Sequence, residues 1–172
     1  MMKAIFLDRD GTIIKDKNYL SDPKDVEWLP NALEGLLKLK KLGFELFLIT
    51  NQSGIGRGYF SLLELQAVHE KIQWQMKKTH IGCFLEIEYC PHTPEDKCSC
   101  RKPQSLMIER ILAKYDIDKK HSWMLGDKDI DVLCGKNAGI KHALVGQEFL
   151  SWAKENNILV FNDLLEFANS IN

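Results

Sequence analysis

The stretch KAIFLDRDGT, residues 3–12, runs an apolar segment straight into two aspartates two positions apart, with an arginine between them and a glycine behind. Residues 3–8 are too few for a helix and rich in branched and aromatic side chains, as in a strand covered on both faces. A single acid at such a strand end is ordinarily a turn or helix cap. Two acids flanking Arg9 ask for a chemical reason, and their neighbours along the chain supply it.

A second run of the same kind, ELFLIT at 45–50, follows the segment PNALEGLLKLKKLGF. That segment spaces Leu33, Leu36, Leu37 and Leu42 on one helical face and stops at Gly43, so the three pieces read as a β-α-β unit. Further strands are expected at 85–89, 122–126, 142–145 and 158–161. Ser61 and Glu64 form a capping-box pair opening a helix that turns Leu62, Leu65, Val68, Ile72 and Met76 inward. Another helix is expected after Pro103, and one from about Asp129 to Ala138, ended by Gly139. The alternation predicts an α/β fold: a Rossmann-like three-layer sandwich with a mostly parallel sheet and ligands beyond the carboxyl ends of its strands.

With 172 residues, 45% of them hydrophobic, one domain spanning 1–172 is expected. Twenty-three basic and 24 acidic residues give a formal charge of -1, and no basic block points to nucleic acid or a membrane surface. No signal-peptide core or bilayer-spanning run is evident, so a monomeric, cytoplasmic protein with a small soluble partner is expected. Five cysteines, three of them within eleven residues, suit a metal site in a reducing compartment better than disulfides.

Three polar clusters fall at strand ends: Asp8 and Asp10 after the first, TNQS (50–53) after the second, and GDKDID (126–131) after the fourth. With Lys102 of CRKP, they converge on one edge of the sheet. The acids, including Asp127, offer hard oxygen ligands for Mg²⁺, Thr50 a hydroxyl for a phosphoryl oxygen, and Lys102 a point positive charge. A carboxylate approaching a phosphate dianion at about 4 Å, in an effective dielectric of about 20, meets roughly 8 kcal/mol of repulsion, about six decades in rate. Cations are therefore required, and this set provides them.

DRDGT, TNQ, RKP and GDKDID, in this order, resemble the four signature segments of the haloacid dehalogenase superfamily of phosphohydrolases over nearly the whole chain. The resemblance implies that Asp8 attacks phosphorus to form an aspartyl-phosphate, and that Asp10 protonates the leaving group and then activates water. It implies that Thr50 and Lys102 hold the transferring group, while Asp8, the backbone carbonyl of Asp10, and Asp127 bind Mg²⁺. Gly11 lets the backbone turn sharply beside the site. Asp131 matches an acidic position near the metal, and equally reads as a helix acid supporting a neighbour by hydrogen bonding.

CPHTPEDKCSC, residues 90–100, places Cys90, His92, Cys98 and Cys100 as a closed four-ligand set for structural Zn²⁺ in a loop insertion at about 90–102. Structural zinc contributes about 10 kcal/mol or more, against roughly 2 kcal/mol to close so short a loop. The ion can therefore order the loop and aim Arg101 and Lys102. Cys83 and Cys134 read as ordinary buried residues.

With this loop, the chain resembles two sister branches without a large cap domain, the D-glycero-D-manno-heptose 1,7-bisphosphate phosphatases and the histidinol-phosphatases. TNQSGIGRGYF (50–60) favours the heptose branch. Gln104, Ser105, Leu106 and Met107 after RKP depart from that branch, as does the short spacing from His92 to Cys98, and both leave the histidinol branch open. The heptose resemblance implies a substrate shell of Asp16, Lys17, Asn18, Tyr19, Asn51, Gln52, Ser53, Arg101 and Lys128. Arg57 and Arg101 suit a second phosphate. Asp16 and Asn18 also read as a polar surface loop, and GIGRG as a flexible turn. Histidinol phosphate would want acids and aromatics, for which Tyr19 and Trp28 are available. His69, His80, His121 and His142 show no ligand spacing and read as surface or satisfied core residues. A phosphate-binding regulator would be expected to lose Asp8 or Asp10, and a phosphotransferase would pass the phosphoryl group to an added alcohol rather than to water.

Overall fold

The computed structural model describes residues 1–171. Strands and helices alternate as β1 (Lys3–Leu7), α1 (Ala32–Lys41), β2 (Phe44–Asn51), α2 (Ser53–Gly56), α3 (Leu62–Lys78), β3 (Glu86–Cys90) and α4 (Leu106–Lys114). They continue as β4 (Trp123–Gly126), α5 (Asp129–Ala138), β5 (Lys141–Val145), α6 (Leu150–Glu155), β6 (Val160–Phe161) and α7 (Leu164–Ser170). The six strands form one sheet in the order β3-β2-β1-β4-β5-β6, and every neighbouring pair is parallel.

Period-two alternation divides each central strand between two cores. Ile5 and Leu7 of β1, with Leu46 and Leu48 of β2, face Leu36 and Leu39 of α1, Val68, Ile72 and Met76 of α3, and Phe167 of α7. Ala4, Phe6, Phe47 and Ile49 face Met107, Ile108 and Ile111 of α4, with Cys134 and Ala138 of α5. Helices thus cover both faces, and each fully buried Leu, Ile or Phe contributes roughly 1.5–3 kcal/mol. The connection from β1 to α1, residues 8–31, holds a single-turn 3-10 helix at Pro23–Asp25 and no inserted cap domain. Among the described residues, no helix is long and apolar enough to cross a membrane.

The elements differ from expectation mainly at their edges. The third strand begins at Glu86, not 85, and Leu85 is exposed. The capping box forms as expected, with Ser61 N donating to Glu64 Oε2 at 2.7 Å and Glu64 N to Ser61 Oγ at 3.3 Å. Leu62, expected inward, is exposed, because the buried stripe of α3 starts one turn later at Leu65. In α1 the buried positions are Ala32, Gly35, Leu36 and Leu39, spaced three and four apart along one face, while Leu33, Leu37 and the C-cap Leu42 are only partly buried on the flanks of that stripe. Cys134 is buried and Cys83 only half-buried.

Register positions the polar strand ends. Leu7 pairs with Leu48 on one side and Leu125 on the other, so the residues following β1, β2 and β4 share one edge of the sheet. The strand order reverses between β1 and β4, and such a reversal opens a crevice at the carboxyl edge.

Candidate active site

A cleft of about 300 Å³ opens at that crevice, and Asp8, Asp10, Lys102 and Asp131 are among the residues lining it. Asp8 leaves β1 with its amide still donating to Leu125 O at 2.9 Å, which ties the carboxylate to the end of β4. Lys102 arrives from the far side of the chain, almost completely buried. Its Nζ donates to Asp8 Oδ1 at 2.6 Å and to the carbonyl of Ile49 at 2.9 Å, and it lies 2.6 Å from Asp131 Oδ1. Burial pulls this ammonium down, but the Asp131 and Asp8 carboxylates outweigh it and hold the group above its ordinary value. Lys102 stays charged.

Beside this triad lies a network that the sequence only partly disclosed. Arg9 is 1% exposed, and its guanidinium grips Asp10 at two points, Nε to Oδ2 at 2.9 Å and Nη2 to Oδ1 at 3.1 Å. Nη2 also donates to Gln52 Oε1 at 3.1 Å, and Nη1 lies 3.3 Å from His69 Nε2. Gln52 Nε2 in turn donates to Asp10 Oδ2 at 3.0 Å and to Thr50 Oγ1 at 2.8 Å. Gln52, expected in the substrate shell, therefore lines the cleft with its amide engaged by protein partners. Burial raises the Asp10 carboxyl above the usual carboxylate range, against the lowering effect of Arg9.

Asp8, Asp127 and Asp131 each offer a carboxylate oxygen, and these oxygens lie within 4.8 Å of one another. Two glycines make the approach possible. A side chain at Gly11, whose φ is +85°, would place its Cβ 2.3 Å from Asp127 Oδ2, and one at Gly126 would meet Asp131 Cγ at 2.2 Å. Thr12 Oγ1 donates to Asp127 Oδ1 at 3.0 Å and orients it. Burial, then the charges of Asp8 and Asp131, push Asp127 up to about 7. Burial likewise lifts Asp131, and although Lys102 lowers it the group settles at about 6. Asp131 Oδ1 is buried without an aligned hydrogen bond despite its ion pair. Three desolvated carboxylates with one such oxygen fit a hard divalent cation, which would relieve both the charge and the desolvation.

The cysteine cluster is compact, with one ligand atom from each of Cys90, His92, Cys98 and Cys100 all within 4.8 Å of one another. Sγ separations are 3.1 Å for Cys90–Cys100, 3.5 Å for Cys90–Cys98 and 3.7 Å for Cys98–Cys100, and His92 Nδ1 stands 3.5 Å from Cys90 Sγ and 3.3 Å from Cys100 Sγ. A tetrahedral zinc with ordinary Zn–S and Zn–N bonds needs edges of roughly 3.8 and 3.6 Å. The four atoms fit that ion with small outward adjustments. Burial raises the Cys98 thiol, but the Arg101 amide and the two neighbouring sulfurs outweigh it and bring the group to about 7.

This loop is tied to the cleft. Arg101 Nη1 donates to the carbonyl of His92 at 3.2 Å, and Lys102 and Asn51 exchange hydrogen bonds in both directions. Asp16, Asn18, Tyr19, Ser53, Arg101 and Lys128 also line the cleft. Lys128 Nζ bridges to Asp16 Oδ2 at 3.3 Å across its rim. Asn18 and Tyr19 both have positive φ, at 47° and 67°. Two of the expected shell residues stand apart from this lining. Lys17 pairs with Glu27 at 3.4 Å, and Arg57 with Glu95 at 3.7 Å.

Arg9, Thr12 and His69 received no role from sequence reasoning. Arg9 and Thr12 belong to DRDGT itself, where a charged residue between two acids in a buried strand end was the available signal. His69 had a weaker one, a polar residue beside Val68 on the inward stripe of α3.

Residues 99–166 match the HAD-hydrolase-like family. The chain is 42% identical over 144 residues to D-glycero-beta-D-manno-heptose-1,7-bisphosphate 7-phosphatase of Helicobacter pylori, covering 83% of each chain. The crystal structure of D,D-heptose 1,7-bisphosphate phosphatase from B. bronchiseptica, complexed with magnesium and phosphate, superposes with a TM-score of 0.89 at 32% identity, over 98% of this chain and 97% of that one. Similarity extends to the histidine biosynthesis bifunctional protein HisB of Campylobacter jejuni, 34% identical over 161 residues, which are 91% of this chain and 45% of that protein. With the carboxylate, lysine and cysteine clusters in place, this similarity means that the chain belongs to the haloacid dehalogenase-like phosphatases, in the branch of the heptose-1,7-bisphosphate 7-phosphatases.

Proposed function

We propose that the chain hydrolyses the C7 phosphate of D-glycero-D-manno-heptose 1,7-bisphosphate through a phosphorylated Asp8. The observation that carries this reading is the cluster of Asp8, Lys102 and Asp131 on the lining of the cleft, with Asp10 two residues from the nucleophile. Asp8 attacks phosphorus and the ester oxygen departs. Asp10, whose carboxyl is raised by burial, protonates that oxygen and later removes a proton from the water that cleaves the acyl phosphate. Lys102 brings a fixed positive charge to the side of the attacking carboxylate, and Thr50 offers its hydroxyl to a phosphoryl oxygen.

Asp8, the Asp10 carbonyl and Asp127 would hold Mg²⁺, with Asp131 beside them. The ion supplies charge neutralisation for carboxylate and phosphate together. Cys90, His92, Cys98 and Cys100 would hold a structural Zn²⁺ that keeps Arg101 and Lys102 aimed at the cleft. Arg101 and Lys128 are cations on the cleft lining suited to the second phosphate of a bisphosphate, and Asp16, Asn18 and Asn51 are suited to sugar hydroxyls. The heptose reading is supported by the 42% identity to the Helicobacter pylori phosphatase.

Histidinol phosphate is the second reading, favoured by similarity to the Campylobacter jejuni bifunctional protein and by Tyr19 on the cleft lining. Phosphate release from the two substrates side by side, with Mg²⁺ and with chelator, decides between them. Faster Mg²⁺-dependent turnover of the heptose bisphosphate is expected. Equal or faster turnover of histidinol phosphate would overturn the substrate assignment and leave the phosphatase class standing.

A further inference from the structure

We propose that His69 is a positioning residue for the reaction, fixing through Arg9 the orientation of the Asp10 carboxylate. The inference rests on the reading of Asp10 as the proton shuttle. His69 lies on the buried face of α3, 8% exposed, and its Nε2 stands 3.3 Å from Arg9 Nη1. A guanidinium has donors only, so Nε2 accepts and the ring proton sits on Nδ1. The ring is therefore neutral. Burial, reinforced by the Arg9 charge, lowers the imidazole to about 3, which keeps that acceptor free at neutral pH.

The geometry shows why the acceptor matters. Arg9 grips Asp10 from the adjacent position in the chain, through a side chain long enough to swing. Two further contacts fix its plane, Gln52 Oε1 at Nη2 and His69 Nε2 at Nη1. Gln52 also touches Asp10 and Thr50, so its loss would disturb several groups at once. His69 touches the cluster through Arg9. Without that acceptor a buried N–H is left unpaired, and the guanidinium can tilt to seek another partner, taking the carboxylate with it. Misplacement of a reacting group by about 1 Å costs on the order of a hundredfold in rate.

The test compares wild type, His69→Phe, His69→Gln and Asp10→Asn on a sugar phosphate and on p-nitrophenyl phosphate, whose leaving group departs without a proton. Rapid-quench rates of phosphoenzyme formation are read beside steady-state kcat and KM. His69→Phe is expected to lower kcat on the sugar phosphate roughly 10- to 100-fold with KM within about twofold. Its phosphoenzyme formation should be slowed on the sugar phosphate but much less on the aryl ester. His69→Gln, which carries an acceptor of similar reach, should recover most of the rate. If His69→Phe does not fold, His69→Asn, polar but too short to reach Arg9, takes its place with the same expectation. Equal slowing on both esters, or no rescue by glutamine, overturns the positioning role. If Asp10→Asn itself shows no dependence on the leaving group, the shuttle reading fails, and the inference falls with it.

Discussion

Asn51 and Lys102 hold each other in both directions: the Lys102 amide donates to Asn51 Oδ1 at 3.0 Å, and Asn51 Nδ2 donates to the Lys102 carbonyl at 3.2 Å. One residue ends β2 and the other follows the last cysteine of the cluster by two positions. The pair couples the sheet edge to the cysteine loop through the Lys102 backbone, while the ammonium is held by Asp8, the Ile49 carbonyl and Asp131.

If the proposed zinc orders this loop, its removal should act on catalysis, although none of Cys90, His92, Cys98 and Cys100 lines the cleft. Stripping zinc, or Cys98→Ser, is expected to lower kcat by more than about tenfold and to speed amide exchange across residues 90–102. Excess Mg²⁺ should not restore the rate of the stripped wild type, and Zn²⁺ should. Zinc content by elemental analysis, read beside activity, checks this; full activity in zinc-free protein would break the coupling.

Gly11→Ala places a Cβ where Asp127 Oδ2 already stands, at a φ of +85°. The backbone strain alone costs roughly 1–2 kcal/mol. The displaced carboxylate is expected to raise the Mg²⁺ concentration needed for half-maximal activity by at least about tenfold. A Mg²⁺ titration of activity reads this directly, and an unchanged requirement would remove Asp127 from the metal set.

Most of the architecture was legible because it is periodic. Apolar runs at 3–8 and 45–50 became β1 and β2, and Ser61 with Glu64 became the observed capping box, since both are local patterns with local causes. The strand-end acids could be assigned to one edge because a parallel sheet brings the carboxyl ends of its strands together. The partners of Arg9 were not legible. Their separation, 43 residues to Gln52 and 60 to His69, depends on how α3 and the end of β2 pack, which no local pattern encodes. Gln52 is legible as a residue of the cleft, which it lines, but its contacts to Arg9, Asp10 and Thr50 are tertiary and no local pattern gives them. The short α6 and α7 were likewise unforeseen, their apolar positions too few to establish a period.

His69 also predicts a dependence of stability on pH. Its folded-state value is depressed from 6.5 to about 3, so on acidification the unfolded chain takes up a proton that the folded chain refuses. The associated stability is fully present above about 6.5 and is lost as pH falls toward about 3. Between pH 7 and pH 5 the wild type should lose about 2 kcal/mol more than His69→Gln in urea denaturation. Parallel losses in the two proteins would show that the imidazole is not held neutral.

Arg101 and Arg57 separate the two ways of holding a second phosphate. Arg101 lines the cleft, whereas Arg57 pairs with Glu95 outside that lining. Arg101→Ala is expected to raise KM for the heptose bisphosphate by about tenfold or more and to affect a monophosphate less. Arg57→Ala should change either value by less than about threefold. The reverse ranking would move the second phosphate to the Arg57 loop.

The most direct measurement is rapid quenching of a single turnover with labelled sugar phosphate, followed by mapping of the label on the digested chain. Label on Asp8, appearing and decaying fast enough to carry the overall rate, is predicted, with no adduct and at least roughly four decades less turnover in a folded Asp8→Asn variant. Phosphate released at the full rate with Asp8 never labelled, or an Asp8→Asn variant that keeps its activity, would contradict covalent catalysis at this residue.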